Sequence, residues 1–139
     1  MKVHVIQDLW VQRYEGKDDI PWLSSKAPRW EVVRDFKVEL DGTLHTVPEG
    51  YVFDGSSIPR FLWAIYPPSY SPAFQGACLH DRGLSHWFRD YPQDYWDQAL
   101  RAMILHDGGS RLTAWVFYKS VGLLPRGGYK YGSDSPPYY

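Results

Sequence analysis

The sequence contains a single cysteine, Cys78, and this scarcity excludes an internal disulfide and any zinc site built from several cysteines. Cys78 stands between Ala77 and Leu79, and free cysteines in apolar runs are usually packed thiols. We therefore assign no chemical role to Cys78.

Long apolar runs and an excess of one charge are also missing. The longest apolar run, residues 61–66, is much shorter than a membrane span, and residues 1–5 lack the apolar segment of a signal peptide. Lys and Arg total 15 and Asp and Glu total 16, so neither disorder nor a broad polyanion-binding surface is indicated. We expect neither a membrane nor a nucleic acid as partner.

The chain is instead rich in aromatic residues, which make up 17% of its 139 residues. This length fits one compact domain and is too short for a cofactor domain plus a substrate domain. Aromatic side chains can close a small core, and they also supply contact area for another protein.

The first part of the chain has the patterns of strands. Apolar residues alternate or form β-branched runs at residues 3–6, 30–33, 36–40 and 43–47. Asp41-Gly42 separates the last two runs and predicts a tight hairpin turn, because both residues tolerate positive φ. Residues 17–28 have the composition of a surface loop.

After Ser57 the apolar pattern becomes helical. We predict a short helix capped by Ser57 and ended by Pro67-Pro68, then helices over residues 72–84 and 92–105. The third helix would bury Trp96, Ala99, Leu100, Met103 and Ile104, and Asp107-Gly108-Gly109 would end it. A fourth helix would begin at a Ser110 cap and carry Leu112, Trp115 and Val116.

Strands followed by helices predict an α+β fold, in which N-terminal antiparallel strands pack with about four C-terminal helices. We assign this single domain to residues 1–124. Residues 125–139 are rich in Pro, Gly and Tyr and read as a C-terminal arm, held by the domain itself or by a neighbouring subunit.

His80 and Asp81 are the most informative polar pair. Both fall on the apolar side of the second predicted helix. Burying an imidazole and a carboxylate without partners is unfavourable by several kcal/mol, so backbone groups, side chains or a metal must satisfy them.

Asp97 repeats this pattern one helix later, where it borders the predicted packed face. Arg101 at i+4 could form an intrahelical ion pair with it, and a role in a pocket is the alternative.

The segment Asp54-Gly55-Ser56-Ser57 predicts a tight turn that leads into a helix N-terminus. Asp54, Ser56 and Ser57 are therefore candidate ligand-binding residues. The alternative is that Asp54 only stabilises the turn.

Three segments together resemble a family described as domain of unknown function 1353, whose members are small proteins encoded mainly by tailed phages and prophages. These segments are residues 53–60, residues 77–81 and Trp96-Asp97, and the resemblance spans about residues 30–123. It implies a phage or prophage origin and a location in the virion or the host cytoplasm. It also groups into one site Asp54, Ser56, His80, Asp81 and Asp97.

Two functional hypotheses follow. The first is a virion component of the tail or baseplate, with other virion proteins or further copies of itself as partners. The second is a small metal-dependent hydrolase acting on peptidoglycan or a phosphoester, with His80, Asp81 and Asp97 as candidate catalytic residues. Its candidate metal ligands are His80, Asp97 and Asp54, and this mixed set suits one divalent transition metal such as zinc.

Geometry can discriminate between the two hypotheses. Oxygen and nitrogen donors placed about 2.0 to 2.3 Å from a common centre would favour the metal-dependent hydrolase. Direct pairing of these side chains with the backbone would favour an architectural role.

Overall fold

A computed structural model describes residues 1–16, 20, 23, 28–55, 58–66, 71–87 and 90–123. The described strands are β1 (Val3–Gln7), β2 (Val11–Arg13), β3 (Trp30–Val32), β4 (Phe36–Leu40), β5 (Thr43–Val47) and β6 (Val52–Phe53). The helices follow as α1 (Arg60–Ile65), α2 (Ser71–His86), α3 (Gln93–His106) and α4 (Arg111–Gly122). The predicted single α+β domain is confirmed. Ser56, Ser57, most of the predicted loop 17–28 and the arm 125–139 lie outside the described residues.

The strands form two three-stranded antiparallel sheets, in the orders β1-β4-β5 and β2-β3-β6. The predicted hairpin turn joins β4 to β5, with φ of 50° at Asp41 and 84° at Gly42. Leu40 and Thr43 pair directly across this turn. The short strands β2, of three residues, and β6, of two residues, were not predicted.

The ends of α3 and α4 follow local signals in the sequence, whereas the N-cap of α1 is Pro59 in place of the predicted Ser57. The Ser110 side chain caps α4 by accepting a hydrogen bond of 3.1 Å from the Thr113 N–H. Asp107 is the C-cap of α3, and Gly108 follows with φ of 95°. Helix α2 continues to His86, two residues beyond its predicted end.

The core has two parts, one on each side of the α2–α3 pair. The first joins the strands to α2 and α3 and contains buried residues such as Phe36, Val38, Tyr51, Leu79 and Trp96. The second joins α1 and α4 to the same two helices through Leu62, Ala77, Leu100, Ile104 and Phe117. Helices α2 and α3 therefore form the central layer. All five residues predicted as the buried face of α3 are buried.

Helix α4 buries a different face from the one marked by its large apolar residues. Ala114, Phe117 and Val121 pack inward, whereas Leu112 is 68% and Trp115 is 48% exposed. The inward residues are set by packing against α1 and α3, since the Phe117 ring lies 6.1 Å from that of Trp63. No helix in the described part of the chain is long and apolar enough to cross a membrane.

Candidate functional site between helices α2 and α3

Small residues on α2 allow α3 to approach closely. A Cβ atom at Gly83 would lie 2.2 Å from Cδ2 of Trp96, a distance that no real side chain tolerates. A Cβ at Gly76, two turns earlier, would lie 3.1 Å from Cδ1 of Leu100. Gly76, His80 and Gly83 are spaced by four and three residues, so they share one face of α2. His80 therefore points at α3 from the middle of the close contact.

His80 is joined to Asp97 at this contact. His80 Nε2 lies 2.7 Å from Asp97 Oδ1, and the two side chains are 0% and 5% exposed. Because a carboxylate only accepts, Nε2 carries the proton and donates. Asp97 thus pairs across the helices with His80, and the predicted alternative, an ion pair with Arg101, does not form.

The second oxygen of Asp97 faces a third helix. Asp97 Oδ2 lies 3.5 Å from Gln93 Nε2 and 3.9 Å from the position that a Cβ of Gly122 would take. Gly122 ends α4, so the carboxylate lies where α2, α3 and α4 converge. The hydrogen bonds of this carboxylate to His80 and Gln93 join α2 to α3, and α4 contributes only close packing at Gly122.

Asp81 has a different partner, the predicted tight turn. Its Oδ2 accepts a hydrogen bond of 2.8 Å from the Gly55 backbone N–H. Gly55 has φ of 75°, a conformation that favours glycine, and its carbonyl accepts from Trp63 Nε1 at 3.2 Å. The turn is therefore held by α2 on one side and by α1 on the other. Asp54, directly before Gly55, is 7% exposed.

The predicted site residues thus divide into two contacts on neighbouring faces of α2. His80 pairs with Asp97, whereas Asp81 pairs with the backbone beside Asp54. Ser56 and Ser57 are outside the described residues. In the described ranges, no group of three or more His, Cys, Asp or Glu side chains is placed to hold a metal ion. The metal set His80, Asp97 and Asp54 remains a prediction without a coordination geometry.

A polar network around Ser85 was not predicted. Ser85 Oγ lies 2.6 Å from His86 Nδ1 and 3.1 Å from the Tyr51 hydroxyl. Burial and then the nearby Arg82 guanidinium lower the pKa of His86 to about 3. Burial is the main cause that raises the pKa of Tyr51 well above its usual range. The spacing of Asp81, Arg82 and Ser85 on α2 was the available signal, because it places three polar residues on one stripe.

His45 belongs to an aromatic cluster, whereas the sequence did not indicate which face of its strand this side chain occupies. Its Nε2 lies 2.8 Å from the Tyr95 hydroxyl, and its ring centroid lies 5.2 Å from that of Trp96. Burial lowers the pKa of His45, and mainly burial raises the pKa of Tyr95 to about 12. The alternation of β5 was the available signal, because it places His45 on the same inward face as Val47.

The fold and these contacts define a class of protein: a small α+β domain in which a buried imidazole–carboxylate bond joins the two central helices. The sequence profile of the family described as "Protein of unknown function (DUF1353)" matches residues 30–121, and the chain belongs to this family. The predicted resemblance is confirmed. No curated protein and no solved structure matches the chain.

Proposed function

We propose that this protein is a structural or assembly protein of a virion, at the tail or baseplate, and that it docks onto another subunit through the outer face of α4. The phage setting comes from the family resemblance. The observation that carries the docking role is the exposed apolar character of this helix face.

We define the outer face of α4 by Leu112, Trp115, Lys119 and Leu123. These residues are spaced by three, four and four positions and therefore form one stripe along the helix. Leu112 is 68%, Trp115 is 48% and Leu123 is 81% exposed. Large apolar side chains grouped on one exposed helix face mark an interaction surface more often than isolated ones do. Tryptophan is also among the residues that dominate binding energy in interfaces.

The charge of this face favours a different protein as partner over a second copy. Helix α4 contains Arg111 and Lys119 and has no acidic residue. A symmetric contact between two such faces would bring like charges together, which is unfavourable. The partner that fits is therefore a subunit with an apolar surface bordered by Asp or Glu.

The contacts of His80 and Asp81 support an architectural role for the predicted site. His80 is fully buried and bonded to Asp97, so a substrate would not reach it without a rearrangement of α2 and α3. Asp81 is bonded directly to a backbone N–H. Both contacts hold elements of the fold together, and such networks favour one arrangement of a core.

Virion incorporation tests this proposal. A phage that lacks the gene would be complemented with the wild-type protein, with Trp115→Glu, or with Leu44→Glu as the matched control. Leu44 is 52% exposed on β5, far from α4 in the sequence. We expect wild type and Leu44→Glu in purified virions at a fixed copy number, and Trp115→Glu at least about tenfold depleted. Absence of the wild-type protein from virions, or normal incorporation of folded Trp115→Glu, would refute the proposal.

The metal-dependent hydrolase remains the second hypothesis, and the described residues lend it no coordination geometry. Metal analysis of the purified protein tests it independently of virion assembly. One bound ion per chain, lost in both His80→Ala and Asp97→Ala, would revive it.

A further inference from the structure

A cleft of about 510 Å³ lies along α3, and none of the residues that line it belongs to the outer face of α4. Its walls come from the start of β1, from α3 and from one residue of α4. Val3, Ala102 and Leu105 supply apolar surface, and Gln98, Arg101 and His106 supply polar groups. This volume is within the range of small-molecule sites, and so is the combination of an apolar lining with a few polar groups.

His106 is held at the cleft by a chain of hydrogen bonds. His106 Nδ1 donates to Asp107 Oδ1 at 2.9 Å, which leaves Nε2 as the nitrogen available to a ligand. Asp107 is fixed in turn, because its Oδ2 accepts from Gln75 Nε2 at 2.9 Å. Gln75 is anchored by accepting the Leu9 backbone N–H, also at 2.9 Å. The imidazole is therefore preorganised by partners from α2 and from the chain before β2.

Two other lining residues, Tyr118 and Gln98, are ordered in a similar way by Asp94. This carboxylate accepts hydrogen bonds from the Tyr118 hydroxyl at 2.8 Å and from Gln98 Nε2 at 2.5 Å. Tyr118 lines the cleft, and its pKa is raised chiefly by the bond to Asp94. Asp94 thus orients Tyr118 and Gln98, and Asp107 orients His106, and neither carboxylate is part of the lining.

Arg101 supplies the charge of the cleft. Its guanidinium lies 5.6 Å from the ring centroid of Tyr118. Asp97, one turn earlier on α3, is bonded to His80, and no ion pair of Arg101 is formed within the described residues. No described side chain that lines the cleft is acidic. An exposed guanidinium beside an aromatic face and an apolar floor suits an anion that carries an apolar group.

We propose that this cleft binds a small organic anion, a carboxylate or phosphate ester joined to an aromatic or other apolar body. Arg101 contacts the anionic group, and the body rests on Leu105, Ala102 and the Tyr118 ring, with His106 as part of the lining. The cleft adjoins the outer face of α4, since Lys119 Nζ lies 5.7 Å from the Tyr118 ring centroid, but the two share no residue, so the binding test does not depend on the docking role.

A titration followed by amide chemical shifts tests the site. Phenyl phosphate and benzoate are the probes for the two anion types, and benzylamine is a cation of similar shape. We expect saturable shifts at residues 101–106 with phenyl phosphate or benzoate, with a dissociation constant of about 1 mM, typical of a ligand of this size. Benzylamine should leave these residues unchanged, and inorganic phosphate alone should bind more weakly because it lacks the body.

Charge-matched variants make the test specific. Arg101→Gln removes the proposed anion contact from an exposed position, and Arg13→Gln on β2 removes one positive charge elsewhere. We expect at least tenfold weaker binding to Arg101→Gln and unchanged binding to Arg13→Gln. The proposal is overturned if neither anion saturates, if benzylamine binds as tightly, or if Arg101→Gln retains the wild-type affinity.

Discussion

Gly83→Ala is the substitution whose effect follows most directly from the contact between α2 and α3. The new Cβ would lie 2.2 Å from Cδ2 and 2.5 Å from Cε2 of Trp96. The Trp96 ring has little room to move, because four other rings surround it with centroids 4.9 to 5.5 Å from its own. The two helices must therefore separate, which also strains the bond between His80 and Asp97.

The size of the effect is the difference of two opposing contributions. Overpacking a dense core destabilises by about 1 to 3 kcal/mol, and a backbone shift beside a fixed indole belongs at the upper end. Replacing a helical glycine by alanine returns about 1 kcal/mol. We therefore expect a net loss of about 2 kcal/mol in the free energy of unfolding, or roughly 6 °C in Tm for a domain of this size.

Gly76→Ala is the matched control, because it adds the same methyl group to the same face of α2. Its Cβ would lie 3.1 Å from Leu100 Cδ1, the end of a flexible side chain, and 3.1 Å from Met103 Cβ. A shift of a few tenths of an ångström relieves these contacts, so we expect a change within about 1 kcal/mol of wild type. Urea unfolding followed by circular dichroism measures both variants. Equal stabilities of Gly83→Ala and Gly76→Ala would refute the proposed close approach.

Two further predictions concern the buried polar groups. His80→Ala should lower the free energy of unfolding by about 3 kcal/mol, because it leaves the buried Asp97 carboxylate without its main partner. In urea unfolding, the double variant His80→Ala, Asp97→Ala should lose less free energy of unfolding than the two single variants lose together. Additive losses would contradict a direct bond between the two side chains. For His86, the unfolded chain takes up a proton near pH 6.5 and the native protein only near 3, so stability should fall as the pH is lowered from 7 to 5. Thermal unfolding of His86→Gln over this range should show a smaller fall, and an identical pH profile would contradict the buried, neutral imidazole.

Local sequence patterns identified the family and the buried polar residues of the candidate site. The sequence placed His80, Asp81 and Asp97 on packed helix faces because polar residues interrupted a helical apolar stripe. It did not indicate that His80 and Asp81 have different partners. That depends on the relative rotation of α2, α3 and the turn at Gly55, which no spacing within one helix records.

The sequence alone determined strands β1, β3, β4 and β5, the order of the four helices, the Asp41-Gly42 hairpin, the Ser110 cap and the buried face of α3. These features depend on neighbouring residues, whose φ preferences and apolar periodicity act over a few positions. The tertiary structure decided which side of α4 is buried, how closely Gly83 meets Trp96, and which partners satisfy His80, Asp81 and His106. Those outcomes arise from contacts between residues distant in the chain, where packing of whole elements outweighs local preference.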